Sequence, residues 1–84
     1  MKLQLKQLIN KEDFISLKKG DKCLIAIKDG YPHVRTFRAF SFIQSEDYYY
    51  NGTWIHFEES GSCDFTIERY FDNKSPVTDI YLIK

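Results

Sequence analysis

Cysteine and proline are scarce in this chain, with two of each among 84 residues. Cys23 and Cys63 are too few for a disulfide framework, and they lack the close paired spacing of structural zinc motifs. No apolar run approaches a membrane span. The opening MKLQLKQLINKEDF alternates apolar and polar residues and carries no apolar core of a secretory leader, so the expected compartment is the cytoplasm. Asn51-Gly52-Thr53 matches a glycosylation acceptor, but a turn explains it better when export is not expected. Repeats, linkers and low-complexity tracts are absent. Net charge is absent too, since 12 basic residues balance 12 acidic ones. That argues against a strongly basic nucleic-acid-binding domain.

The balance is uneven along the chain. Residues 1–45 hold nine Lys and Arg against four acids, and residues 46–84 hold three against eight. In a small fold the halves interleave, so ordinary surface pairing accounts for most of this asymmetry. What is plentiful is apolar and aromatic surface, at 43% and 17% of residues. This composition is too apolar for disorder and lets a short chain bury a large area per residue. A chain of this length makes one domain, 1–84, that buries roughly 60–65% of its unfolded surface and has little core to spare for an enclosed active site.

Local signals place the elements. Residues 2–6 alternate and suit a short edge strand. Asn10 is a good N-cap for a short helix from Lys11 to Leu17, with Glu12 and Asp13 in the first turn and Phe14 and Leu17 on one face. Lys18 and Lys19 suit its end, and Gly20 the position beyond. Lys22 to Lys28 reads as a buried central strand, and Asp29-Gly30-Tyr31-Pro32 as a turn. His33 to about Gln44 is a long strand whose apolar parity changes. Val34, Phe37 and Phe42 share one side only if a bulge near Arg38-Ala39 switches the register; otherwise both faces are covered.

Asp47 to Phe71 reads as three antiparallel strands. Asn51-Gly52 predicts a two-residue hairpin turn that pairs Tyr50 with Thr53, Tyr49 with Trp54, Tyr48 with Ile55 and Asp47 with His56. A three-residue turn at Glu59-Ser60-Gly61 then pairs Phe57 with Cys63 and Ile55 with Phe65. This register puts Tyr48, Ile55, Phe57, Cys63, Phe65 and Ile67 in the core. Tyr49, Trp54, His56, Glu58, Asp64, Thr66 and Glu68 face outward. Val77-Thr78-Asp79 is expected as a single tight turn before a last strand, Ile80 to Ile83.

Leu17-Lys18-Lys19-Gly20-Asp21 entering a strand, bent strands in a meander, and Ser75-Pro76-Val77-Thr78-Asp79 before a closing strand resemble the SH3-like small β-barrels over residues 17–84. The resemblance implies an all-β, mainly antiparallel barrel of five to six strands (21–84) behind an N-terminal strand and helix segment (1–20). The acidic loop and ALYDY-type segment of peptide-binding SH3 domains are absent, so proline-rich ligands are not implied.

For chemistry, Cys63 or Cys23 with His56 or His33 could form a nucleophile–base pair, but Cys63 faces inward and His56 outward, so catalysis by them is not expected. Adjacent carboxylates at Glu58-Glu59 and Glu46-Asp47 point to opposite strand faces. No catalytic residue, metal or cofactor is expected, and the chain reads as a non-enzymatic binding module. The expected surface is Tyr49, Trp54, His56, Asp47 and Glu58, because exposed Trp and Tyr are enriched at protein contacts and the nearby acids disfavour phosphates. The expected partner is a protein; a homodimer is compatible, and a membrane is not expected. By analogy, small phage and mobile-element proteins of this kind inhibit host machinery, including host defence. The second reading is a nucleic-acid or nucleotide binder that uses Lys18, Lys19, Lys22, Lys28, Arg35 and Arg38, with His33 beside them.

Overall fold

The computed structural model describes residues 4–47, 50–59 and 65–84. Its backbone is built from β1 (Leu5–Gln7), α1 (Lys11–Ile15), β2 (Lys22–Ile27), β3 (His33–Ile43), β4 (Gly52–Phe57), β5 (Phe65–Thr66), α2 (Ile67–Phe71) and β6 (Val77–Ile83). The strands form one six-stranded antiparallel sheet in the order β1-β6-β2-β3-β4-β5. This sheet is open, with β1 and β5 at its two ends.

Helix α1 forms where the sequence predicts it, with a complete capping box. The Asn10 side chain accepts the Asp13 N–H at 3.0 Å, and the Asp13 carboxylate accepts the N–H groups of Asn10 (3.2 Å) and Ile9 (2.8 Å). These bonds satisfy donors that the start of a helix leaves open. The helix stops at Ile15 rather than Leu17, yet Phe14 and Leu17 are both buried and close the core face of the sheet. Gly20 has φ +97°, a conformation that suits glycine, and its N–H bonds the Phe37 carbonyl at 2.9 Å. Chain entry and the middle of β3 are thereby tied together.

The expected bulge in β3 is present. Phe37 pairs with Phe57 and Ala39 with His56, which leaves Arg38 as the extra residue. Phe37 and Phe40 consequently face the same core, their ring centroids 4.9 Å apart. The bulge also divides the labour of the strand, since residues 33–36 pair with β2 and residues 37–43 with β4. One set of side chains from both halves fills the core, chiefly Leu8, Phe14, Cys23, Ile25, Phe37, Ile55, Phe57, Phe65, Ile67 and Ile80.

Three expectations fail, each for a local reason. Asn51-Gly52 is not a two-residue hairpin turn. Gly52 has φ +133° but Asn51 is not in the positive-φ region, which a type I′ turn requires at both positions. The Asn51 side chain instead accepts the Ser45 N–H at 3.0 Å, closing a longer connection. β4 pairs directly with β3, Ser41 across from Trp54 and Phe40 across from Ile55. Both sides of Trp54 are thus taken, by Ser41 and Thr66, leaving no position across from it for Tyr49. Tyr48 and Tyr49 themselves lie outside the described residues, as do Ser60 to Asp64 and the predicted three-residue turn.

The second failure is the strand through Phe71. Among the described residues of this stretch only Phe65 and Thr66 pair, and Ile67 begins a helix capped by the Thr66 hydroxyl, which accepts the Arg69 N–H at 3.3 Å. Ile67, Tyr70 and Phe71 fit strand alternation poorly but helical i, i+3, i+4 spacing well. Tyr70 and Phe71 each meet the Phe14 ring edge-on at 5.6 Å. Thirdly, Val77-Thr78-Asp79 belongs to β6 rather than to a tight turn. Thr78 is the extra residue of a second bulge, opposite the Ala26/Ile27 step, with its hydroxyl donating to the Ala26 carbonyl at 3.3 Å.

Candidate functional site

The predicted pairing of Ile55 with Phe65 is present, and with it the sorting of β4 into two faces. Ile55, Phe57, Phe65 and Ile67 are buried, whereas Trp54 and His56 lie half-buried on the opposite side. Thr66 departs from this sorting: it lies across from Trp54 yet is buried, its hydroxyl committed to capping α2. Glu68 departs too, since its carboxylate accepts the Thr53 N–H at 2.7 Å from the start of α2.

Trp54 is held at its polar end. Its Nε1–H donates to the Tyr50 carbonyl at 2.9 Å, fixing the indole against the connection between β3 and β4. The N–H groups of Tyr50 and Asn51 both bond the Asp47 carbonyl at 3.1 Å, tying the start of β4 back to Asp47. Asp47 and Glu58 are exposed, one at the far end of the β3–β4 hairpin and one at its base. Tyr49 lies outside the described residues.

Sequence reasoning missed three apolar members of this region. Phe42 is 69% exposed, Tyr50 53% and Ile43 41%, all at the end of the hairpin. Phe42 keeps the parity of Phe40 and would be core if the strand were shorter. β3 is 11 residues long and runs past the core, so its last aromatic meets water instead. The longest dimension of the molecule is 47 Å against 28 and 25 Å. The signal was available: a strand of that length exceeds what one small core can cover on both ends.

Ser41 was also missed. Its Oγ lies 2.6 Å from His56 Nε2, diagonally across the outward face beside Trp54. A hydroxyl within reach of an imidazole is one part of a nucleophile arrangement, but acyl transfer further needs oxyanion donors and a cleft that limits water. Here Ser41 is exposed on a sheet face. Cys23 is buried in the core, and burial pushes its thiol up to about 12, far from a reactive thiolate. Among the described residues, no group of three His, Cys, Asp or Glu is placed to hold a metal ion.

The six cations of the second reading are not all brought together: the segment of Lys19 to Lys22 runs beside Thr36 to Arg38, but Lys28 and Arg35 lie apart from it. Lys22 is on the outer face of β2, its Nζ donating to Thr36 Oγ1, whereas Arg35 is paired with the buried Cys23 and faces the core side. Arg35 bonds the Val34 carbonyl at 3.0 Å. Lys28 follows the opposite end of β2, roughly 20 Å from Lys22 at the usual rise per strand residue. Lys18 and Lys19 are exposed after α1, and Arg38 is exposed at the bulge. Lys22 also has an anionic neighbour. The Glu59 carboxylate accepts the Thr36 N–H at 2.7 Å and its hydroxyl at 2.9 Å; these bonds, then Lys22, hold it below the usual carboxylate range.

No family model matches the chain, and no curated protein or solved structure is detectably similar to it. Among the described residues, no helix is long and apolar enough to cross a membrane.

Proposed function

We propose that the chain is a non-enzymatic binding module that contacts a protein partner through the end and outward face of the β3–β4 hairpin. The contact residues are Trp54, His56, Asp47 and Glu58, with Tyr49 from the sequence reading, joined by Phe42, Ile43 and Tyr50. The observation that carries this reading is the group of exposed apolar side chains at one end of the molecule, with Phe42 foremost. Scattered exposed apolar residues are ordinary, but Phe42, Ile43 and Tyr50 together at the end of one hairpin, with Trp54 half-buried on the face opposite Phe42, have the composition of a contact hot spot. Glu46 and Asp47 are the charges of the intervening connection. The partner surface is therefore basic at its rim and apolar at its centre.

The chain order of helix, bent strands and closing strand supports an SH3-like arrangement as the finer description of the fold. Inhibition of host machinery by a small phage or mobile-element protein is a role this surface would serve. The nucleic-acid reading is less well supported, because Lys28 lies at the opposite end of β2 from Lys22 and Arg35 is on the opposite side of the sheet from Lys22. Heparin chromatography separates the two. Weak retention with elution at low salt is expected; strong retention that falls steeply with salt would favour the basic residues instead.

A further inference from the structure

The half of the sheet before the bulge has an outward face on which Leu5, Gln7, Lys22 and Val34 are exposed and Leu24, Tyr81 and Ile83 are half-buried. Cys23 and Ile25 face the core, so Lys22, Leu24 and Ala26 point the other way. Register extends this face across four strands. One row is Gln7, Tyr81, Leu24 and Val34, and the next is Leu5, Ile83, Lys22 and Thr36. Val34 is 51% exposed and Leu5 46% exposed, both aliphatic and both on open sheet. This surface is separate from the Trp54 face and was not singled out by the sequence.

We propose that this face binds a second copy of the same chain, forming a weak two-fold dimer. Charge decides the occupant and the orientation. The face carries one cation, Lys22, in the row on one side of Leu24, and one anion, Asp79, across from Ala26 on the other side. Asp79 accepts the Gln7 amide at 3.1 Å, a neutral partner, and among the described residues it is in no ion pair. A two-fold axis in the plane of the interface, perpendicular to the strands and passing by Leu24, exchanges the two rows. It sets Lys22 of each copy near Asp79 of the other, over a shared apolar centre of Leu24, Tyr81 and Val34. An axis parallel to the strands would instead bring like charges together. The other charged groups around the face are Glu59 beyond Thr36, and Lys28 and Asp29 beyond Ile27. Lys28 and Asp29 lie outside the two central rows, whereas the Glu59 carboxylate is held on Thr36 beside Lys22 and shares its charge.

The area sets the strength. Four strands about 4.8 Å apart and three rows of residues span roughly 19 by 14 Å. Two such patches bury well under the ~1,200 Å² of a standard interface, so dissociation is expected at tens to hundreds of micromolar.

Sedimentation velocity from about 10 µM to 1 mM tests this with the full chain. The wild type should rise from 10.0 kDa toward twice that mass. Val34→Lys, at an exposed position, should weaken dimerisation at least 10-fold with an unchanged circular dichroism spectrum. Lys22→Glu and Asp79→Lys should each weaken it by a similar factor, and the double variant should recover most of the loss. A wild type that stays monomeric throughout overturns the proposal. So does a dimer indifferent to Val34→Lys, or one in which the double charge exchange restores nothing.

Discussion

Trp54 and Tyr50 are joined by one hydrogen bond, from the indole Nε1–H to the Tyr50 carbonyl, at 2.9 Å. It couples the half-buried ring on β4 to the exposed end of the hairpin. Trp54→Phe keeps a ring on the face but removes the donor. The expected cost is about 1 kcal/mol in urea denaturation, with faster amide exchange in the connection between β3 and β4. Unchanged exchange there would mean that the bond does not organise this end.

Gly52→Ala is expected to be costly. Gly52 has φ +133°, and an added Cβ would lie 2.6 Å from Glu68 Oε1 and 3.4 Å from Thr66 Cβ. Glu68 cannot move away freely, because it holds the Thr53 N–H. Strain of this kind costs on the order of 1–3 kcal/mol, readable as a lower urea midpoint.

The sequence marked Gly52 and Asn51 as special but not for the reason they are. Asn-Gly is a strong local signal, yet Phe37 and Phe40 gain more by pairing β3 with β4 over the core, and tertiary packing wins. The β3 bulge was legible because the apolar parity changes along the strand, although Val34, expected on the side of Phe37, lies on the opposite face. Asn10 was legible because capping is a local, residue-specific event. Helix α2 was not, since Phe65 and Ile67 alternate like a strand until the Thr66 cap starts a helix. Trp54 and His56 were placed on the correct face because the Ile55–Phe65 pairing fixes that parity. Phe42 and Ser41 were missed because exposure at a strand end and a diagonal contact both depend on which strand lies alongside.

Acid should weaken the fold through two carboxylates. The N–H of Ile9, then that of Asn10, holds Asp13 below its free value of 3.8; the Thr36 N–H does the same for Glu59, against 4.5. A depressed folded pKa means the contribution is complete above the unfolded value and lost as pH falls through the folded one. Urea midpoints should therefore be level from pH 7 to about 5 and decline below about 4. Asp13→Asn should flatten part of that decline. Asn10→Ala, which removes the other half of the capping box, should cost about 1 kcal/mol at neutral pH.

Cys23 should be unreactive in the folded protein. Burial first, then the Asp21 charge, raises its thiol to about 12. In a Cys63→Ser background, a thiol reagent at pH 8 should label Cys23 only on unfolding, at a rate that rises with denaturant. Prompt labelling of the native state would contradict the buried placement of β2.

The central claim is that the β3–β4 hairpin end is a protein-contact surface, and affinity capture from the cell that makes the protein tests it most directly. Wild-type chain, Phe42→Ser, Trp54→Ala and Lys18→Glu/Lys19→Glu are compared, each first shown to be folded by circular dichroism. The account predicts a saturable protein partner whose binding falls about 30-fold or more, roughly 2 kcal/mol, in the Phe42 and Trp54 variants. The lysine variant should bind as the wild type does. Folded Phe42→Ser and Trp54→Ala proteins that keep wild-type affinity, with binding lost instead in the lysine variant, would contradict it.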